Sequence, residues 1–166
     1  MDRIDLPVAQ SLPRTDVEGL PKPVGKVLGY TVYVTRDEVL VLDQTRRAWG
    51  HSYPTVMSVS CEVTRRCGIS FRVMDYARLH HAYRGLGIAP LTYCLVARKV
   101  GPIMSGTAQS VGGRALWNSI AKRARRSGRT VLALWKGEFH EVEAGNWGEV
   151  ESDVDTYNTI ARLVAV

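Results

Sequence analysis

The stretch that decides the fold is Arg84-Gly85-Leu86-Gly87-Ile88-Ala89, which lies where the hydrophobic pattern of the chain changes its period. Before it, residues 69–79 alternate apolar and polar side chains, the period-2 pattern of a strand with one buried face. After it, apolar residues recur at helical spacing until Val100-Gly101-Pro102 ends the pattern. Residues 84–89 therefore form the turn between a strand and a helix.

Two glycines allow this turn to approach an anion closely. Gly85 and Gly87 lack a Cβ, so the backbone can turn sharply and direct several N–H groups to one point at the positive end of the helix. Arg84 adds a positive charge with a fork of donors. A Gly-x-Gly pattern alone is often only a tight turn, but its position after a strand and before a helix favours phosphate binding. Pro90 distinguishes it from the dinucleotide-binding pattern Gly-x-Gly-x-x-Gly.

The remaining pattern predicts a mixed α/β (α+β) domain. Antiparallel strands are followed by a helix, a strand, a helix and more strands. The predicted strands are a hairpin of residues 27–34 and 38–43, and residues 55–63, 69–79, 102–106, 131–135 and 139–142. One predicted helix begins at residue 88, and two others cover residues 113–126 and 156–166. We expect a single domain over residues 1–166, with an irregular arm at 1–24 and an acidic segment at 138–166.

Charge is distributed unevenly along the 166 residues, whose formal net charge is +6. Residues 1–137 carry 21 Lys and Arg and 9 Asp and Glu. Residues 138–166 carry 1 basic residue and 7 acidic ones. The main body is therefore basic and attracts anions, a class that includes nucleotide cofactors, nucleic acid and acidic protein surfaces.

The sequence predicts neither a membrane span nor a metal site. No apolar stretch approaches the roughly 20 residues of a span, and residues 1–5 lack the pattern of a signal peptide, so we expect a cytoplasmic protein. Cys61, Cys67 and Cys94 lack metal-ligand or disulfide spacing, which predicts reduced thiols. His80 and His81 are neighbours, and neighbouring side chains on a strand point in opposite directions, so they are not expected to share a metal ion.

The turn matches the Gln/Arg-x-x-Gly-x-Gly/Ala signature of the GNAT acyltransferase superfamily, and Tyr83 before it is also typical of that family. With the order of elements, the resemblance covers roughly residues 24–142. Ser105-Gly106, followed by Gln109-Ser110-x-Gly-Gly-x-x-Leu-Trp117, is similar to a segment of phage-encoded members, which would place this protein in the host cytoplasm.

The resemblance implies a mixed, mainly antiparallel sheet flanked by helices and splayed between its fourth and fifth strands, with residues 69–79 as the fourth. Acetyl-coenzyme A would lie in the gap. By position, Leu79 and His81 would offer backbone groups to the pantetheine arm. The residues implied to surround the pyrophosphate are Arg84, Gly85, Leu86, Gly87, Ile88 and Ala89.

The catalytic groups are less well indicated than the cofactor turn. Many family members have a tyrosine on the helix after the fifth strand that protonates the leaving thiolate, and Ser119, a much weaker acid, stands there in this chain. Asp75 is the first candidate for the base, because burial on an otherwise apolar strand face would favour its neutral form. A bulge that turns Asp75 to solvent, or a pair with Arg78, is the alternative. His80 is a second candidate, although its position at the end of the strand favours an exposed loop residue over a base.

Three functions are compatible with these observations. The first is an N-acetyltransferase that uses acetyl-coenzyme A on an amine of a protein or small molecule. The second is a GNAT-fold binding protein with weak or lost catalysis that acts on a host protein, which the missing tyrosine favours. The third, a nucleic-acid binder using Arg65-Arg66 and the basic cluster at residues 122–129, lacks a recognisable binding motif. The acceptor and the oligomeric state stay open.

Overall fold

The computed structural model describes residues 12–46, 49–106, 110–135, 138–141 and 162–165. The strands in these ranges are β1 (Arg14–Asp16), β2 (Gly25–Val27), β3 (Tyr30–Val34), β4 (Glu38–Leu42), β5 (Ser52–Arg66), β6 (Ile69–Leu79), β7 (Ile103–Ser105), β8 (Val131–Trp135), β9 (Glu138–Glu141) and β10 (Arg162–Ala165). The helices are α1 (Ile88–Lys99) and α2 (Val111–Arg126), and a short 3₁₀ helix covers His81–Tyr83.

All ten strands belong to one sheet. Nine of them follow the order β2-β3-β4-β5-β6-β7-β10-β8-β9, and β1 pairs with β5. Neighbouring strands are antiparallel except β6 and β7, which are parallel. Both helices pack on the sheet in the main hydrophobic core. The predicted fold class, a mixed and mainly antiparallel sheet flanked by helices, is therefore confirmed.

The sheet opens between β6 and β7, as the family resemblance implied for the strand at residues 69–79 and the strand that follows it. Residues 72–74 of β6 pair with Ile103–Ser105, and the Gly106 N–H donates to the Met74 carbonyl at 3.2 Å. Beyond this point β6 continues to Leu79 against β5 alone. A bulge shifts the register there, because Tyr76 pairs with Ser60 and Met74 with Cys61. Asp75 consequently has no residue opposite it on β5.

Two predicted elements differ from the observed ones. Residues 27–34 form a tight hairpin rather than one strand, because Leu28 and Gly29 have φ of 50° and 89° and reverse the chain between β2 and β3. Residues 162–165, predicted as part of a terminal helix, form β10, which lies antiparallel between β7 and β8. Strand pairing on both sides overrides the weak local helical pattern. The rest of that predicted helix lies outside the described residues.

The other elements agree closely with the pattern. The strand predicted at 69–79 is β6, and the helix predicted at 113–126 is α2, which begins two residues earlier, after Ser110 accepts a hydrogen bond from the Gly113 N–H at 3.1 Å. Part of the N-terminal arm is regular, since Arg14–Asp16 forms β1. Within the described residues, neither helix combines the length and apolar character needed to cross a membrane.

The inward face of α2 holds both helices to the sheet. Trp117, Ile120 and Ala124 are buried as their helical spacing predicts, and Leu116 is partly buried against them. Ile120 is fully buried in the core that also contains Val96 of α1.

The substitution Ile120→Ala is expected to lower the free energy of unfolding by about 2–5 kcal/mol, because it removes apolar burial and leaves a cavity between the helices and the sheet. The exposed Lys122→Ala is the matched control on the same helix, with an expected change within about 0.5 kcal/mol. Urea denaturation measures both, and equal losses would contradict the assigned packing of α2.

Candidate active site

A cleft of about 1070 Å³ opens where β6 separates from β7. Its walls come from the free half of β6, the glycine turn, the first turns of α1 and α2, and Gly106 after β7. The lining is largely apolar. The larger apolar side chains that line it are Met57, Met74, Leu79, Ile88, Tyr93, Leu116 and Trp117. Such a lining suits a ligand with an extended, weakly polar arm.

The glycine turn forms one end of the cleft. Gly85 and Gly87 have φ of 76° and 77°, in the left-handed region that favours glycine, and Gly87 is the N-cap of α1. No side chain caps the first turn of α1, and that turn contains no acidic residue. Arg84 lines the same end of the cleft, is exposed, and has no acidic partner within the described chain. Uncapped N–H groups and a guanidinium therefore face one opening.

The N-terminus of α2 reaches the same cleft, a contribution that the sequence analysis did not foresee. Ser110, Gly112 and Gly113 line the wall, and the two glycines keep side chains out of it. The first turn of α2 also lacks an acidic residue. The positive ends of two helix dipoles thus border one space.

The predicted cofactor residues are not all in the cleft wall. Leu79, Arg84, Gly85, Gly87, Ile88 and Ala89 line it. Leu86 and His81 are exposed and are not among the described lining residues. Leu86 is the middle of the turn, so its side chain is directed away while its glycine neighbours border the opening.

The two histidines lie side by side, contrary to the expected opposite orientation. Their ring centroids are 4.2 Å apart, because the strand ends at Leu79 and the 3₁₀ helix begins. His80 Nδ1 accepts a hydrogen bond from the Ala82 N–H at 3.3 Å, which leaves the proton of the neutral ring on Nε2. Burial, and then the charges of His81 and Arg84, lower the pKa of His80. The ring is neutral at pH 7, but its lone pair is occupied, so His80 is a poor candidate for the base.

Asp75 lies at the inner end of the cleft. Its side chain is exposed to this opening rather than buried, so the predicted burial is wrong and the alternative, a bulge that releases it, is correct. Arg78 does not pair with it and lies over the Tyr76 ring at 5.0 Å. A Cβ on Gly106 would be 2.6 Å from Asp75 Oδ1 and 3.3 Å from its Cα. Asp75 is the sole carboxylate in the described lining.

Tyr93 is the residue that the sequence analysis missed. It lines the cleft from the second turn of α1, is 2% exposed, and packs edge-on against Trp117 with ring centroids 5.3 Å apart. Burial, and then the nearby Cys61 thiol and Asp75 carboxylate, hold the pKa of Tyr93 far above its ordinary value. Its hydroxyl is therefore a proton-bearing donor within electrostatic reach of Asp75. An aromatic hydroxyl about one helical turn after the glycine motif was the available signal.

Ser119, which occupies the position where the resemblance implies a tyrosine, is partly buried on α2 and is not among the described lining residues. No group of three or more metal-binding side chains occurs within the described ranges.

Comparisons with known proteins add little to this geometry. No family model and no curated protein matches the chain. A crystal structure of the NatC complex bound to Gag peptide and CoA is similar, with a TM-score of 0.39 and 11% identity, over 76% of this chain and 69% of the other. A TM-score this low does not establish relatedness.

The substitution Gly106→Ala is expected to lower the free energy of unfolding by about 1–3 kcal/mol, because the new Cβ displaces the Asp75 side chain and crowds its backbone. The control Gly112→Ala meets only Ser110 Oγ at 3.9 Å and is expected to be neutral or to stabilise α2 by up to about 1 kcal/mol.

A double-mutant cycle with Asp75→Ala tests the contact itself. The cost of Gly106→Ala should fall when the carboxylate is absent, since the closest contact is to Oδ1. An identical cost in both backgrounds, measured by urea denaturation, would show that Gly106 and Asp75 are not coupled.

Proposed function

We propose that the protein binds acetyl-coenzyme A, or another acyl-coenzyme A, in the cleft between β6 and β7 and transfers the acyl group to an amine. The observation that carries the proposal is one continuous opening. It has an uncapped helix N-terminus with Arg84 at one end, a free strand edge along its side and a lone carboxylate at the other end.

The residues fit such a ligand in their order along the cleft. The Arg84–Gly87 turn and the N-terminus of α1 suit a pyrophosphate. The unpaired edge of β6 beyond Met74 suits an extended arm that carries amide groups, because backbone donors and acceptors there lack a neighbouring strand. Leu79 lies four residues after Asp75, a distance of roughly 13 Å at strand rise, which suits an arm reaching from the turn to the carboxylate.

The residues at the inner end can assist transfer. An acyl-coenzyme A supplies a thioester, whose C–S bond breaks as a C–N bond to the amine forms, so that coenzyme A leaves as its thiolate. Asp75 is exposed to the cleft and can accept the proton that the amine loses. Tyr93 stays protonated and can donate a hydrogen bond to negative charge that develops beside it. Trp117 and Met57 border the same region and reduce its access to water.

A binding protein without transfer is the second candidate, and one observation favours it. Asp75 is the sole described carboxylate in the cleft, and His80 has its lone pair engaged, so chemistry depends on a single group. Such a protein would hold coenzyme A and act by docking on another protein. A phage origin, a host partner and nucleic-acid binding stay predictions from the sequence.

Coenzyme A binding is expected to depend on Arg84. The substitution Arg84→Gln should weaken the affinity roughly tenfold, since a charge-assisted contact to phosphate is lost. The surface cation Arg78, which stacks on Tyr76, gives the matched control Arg78→Gln with unchanged affinity. Isothermal titration with coenzyme A and acetyl-coenzyme A measures both. No binding by the unsubstituted protein at millimolar ligand would sink the proposal.

Transfer is expected to depend on Asp75. With labelled acetyl-coenzyme A and a panel of amines and peptides, Asp75→Asn should lower kcat/KM by roughly 10²-fold or more while the coenzyme A affinity stays constant. Tyr93→Phe should lower kcat, because the ring and its packing are kept and the donor is removed. The control His80→Gln should retain turnover.

The two candidate functions separate in this experiment. Full turnover by Asp75→Asn would exclude Asp75 as the base. Coenzyme A binding without label transfer to any amine, or to proteins of a cell extract, would favour the binding protein.

A further inference from the structure

A second concave surface lies farther along the same pair of helices. A groove of about 480 Å³ is bordered by the later turns of α1, the later turns of α2 and the β2–β3 turn. The candidate active-site cleft is bordered by the first turns of these helices, and no described residue lines both openings. The groove is therefore a separate feature of the surface.

Four cations line this groove. Lys26 comes from β2, Arg98 from the last turn of α1, Arg123 from α2 and Arg129 from the segment after it. No carboxylate occurs in the described lining, and none of the four forms an ion pair with a described residue. Like charges gathered around one concave surface repel each other, so the groove is electrostatically prepared for an anion.

The cysteine in the groove indicates that three of these cations lie near one point. Cys94 is partly buried between the helices and lines the groove. Burial raises the pKa of its thiol, and the charges of Arg123, Arg129 and Arg98 oppose that rise. The three guanidinium groups, from two different helices and a loop, are thus within electrostatic reach of a single sulfur atom.

Compensation of the helix dipoles accounts for only part of this charge. The C-terminus of each helix carries about half a negative charge, so the two together balance roughly one of the four cations. An unbalanced positive charge is left over the groove. The apolar residues of its floor include Leu91, which is partly exposed, and Leu95 and Ile120, which are buried.

We propose that this groove is a second anion-binding site, which takes a small phosphorylated ligand with at least two negative charges, such as a nucleoside polyphosphate. The volume of the groove favours a small molecule over a nucleic acid, whose backbone follows a basic groove that extends over several nucleotides. Guanidinium groups bind phosphate oxygens through paired donors, and the apolar floor suits a base or another flat group. This site does not require that the cleft bind acyl-coenzyme A.

Alkylation of Cys94 reports directly on occupancy of the groove. The probes are inorganic tripolyphosphate and ATP, added to the full chain in the presence and absence of saturating acetyl-coenzyme A, whose acylated sulfur does not consume the alkylating reagent. The rate of Cys94 modification, followed by peptide mass spectrometry, should fall roughly tenfold at a probe concentration about ten times Kd. The exposed Cys67 gives the internal control, whose rate should not change.

Matched substitutions test which cations are responsible. The pair Arg123→Gln and Arg129→Gln removes two groove cations and should weaken probe affinity by roughly tenfold or more per residue. The pair Lys122→Gln and Arg126→Gln removes the same charge from exposed positions of α2 outside the groove and should leave protection intact. Tighter binding of ATP than of tripolyphosphate would show that the nucleoside uses the apolar floor, and equal binding that the phosphates suffice.

Four results would overturn the second site. The first is that neither probe protects Cys94 from alkylation. The second is that the pair of substitutions in the groove and the pair outside it lose this protection equally. The third is that the pair Arg123→Gln and Arg129→Gln weakens the binding of coenzyme A but not of dephospho-coenzyme A. That result would make the groove part of the cofactor site. The fourth is protection by an oligonucleotide or an acidic peptide without protection by either probe.

Discussion

The separation of β6 from β7 is the constraint on which the candidate site depends. These parallel strands pair over three residues, and the pairing ends where the bulge leaves Asp75 without a partner on β5. At that point the Asp75 side chain lies over Gly106, where any larger residue would collide with it. Continued pairing would close the cleft, so the bulge, the carboxylate and the glycine together keep a strand edge open in the middle of the sheet.

The same separation determines how charge is arranged around the opening. Helices α1 and α2 each follow one of the two strands, so their N-termini begin on either side of the gap. Neither first turn contains an acidic residue, and α1 lacks a side-chain cap. The positive potential of both helix ends is thus directed into one space with Arg84. An apolar wall beside it lowers the local dielectric and strengthens that potential for a bound anion.

Local patterns predicted the elements whose structure depends on near neighbours in sequence. Alternation over residues 69–79 predicted β6, and the change of period at residues 84–89 predicted the turn and α1. The strand β10 depends on two distant partners, β7 and β8, so no local pattern identifies it. The Leu28-Gly29 turn carried a usable signal, since a glycine that follows a short strand can adopt positive φ.

The glycine turn and Asp75 could both be named from the sequence, but the way in which Asp75 reaches the cleft could not. The turn is local, and its glycines show their role in sequence, whereas Asp75 reaches the cleft through a one-residue register shift that alternation cannot reveal. Two neighbouring histidines meet because the strand stops between Leu79 and His81, a boundary within the error of any pattern. Tyr93 matters because Trp117, from a helix distant in sequence, packs against it beside Asp75.

The basic character of the main body has a structural basis in this helix pair. At the N-termini, positive potential comes mainly from backbone N–H groups, and a single arginine supplements it. Toward the C-termini, where backbone carbonyls attract cations, the positive charge of the groove side chains exceeds the partial negative charge of the two helix ends. Helix stability would favour an acid in each first turn, which both helices lack, and it does not account for Lys26 and Arg129, which lie outside the helices. Both features make the surface of the helix pair more positive, which is the charge that the two proposed anion sites require.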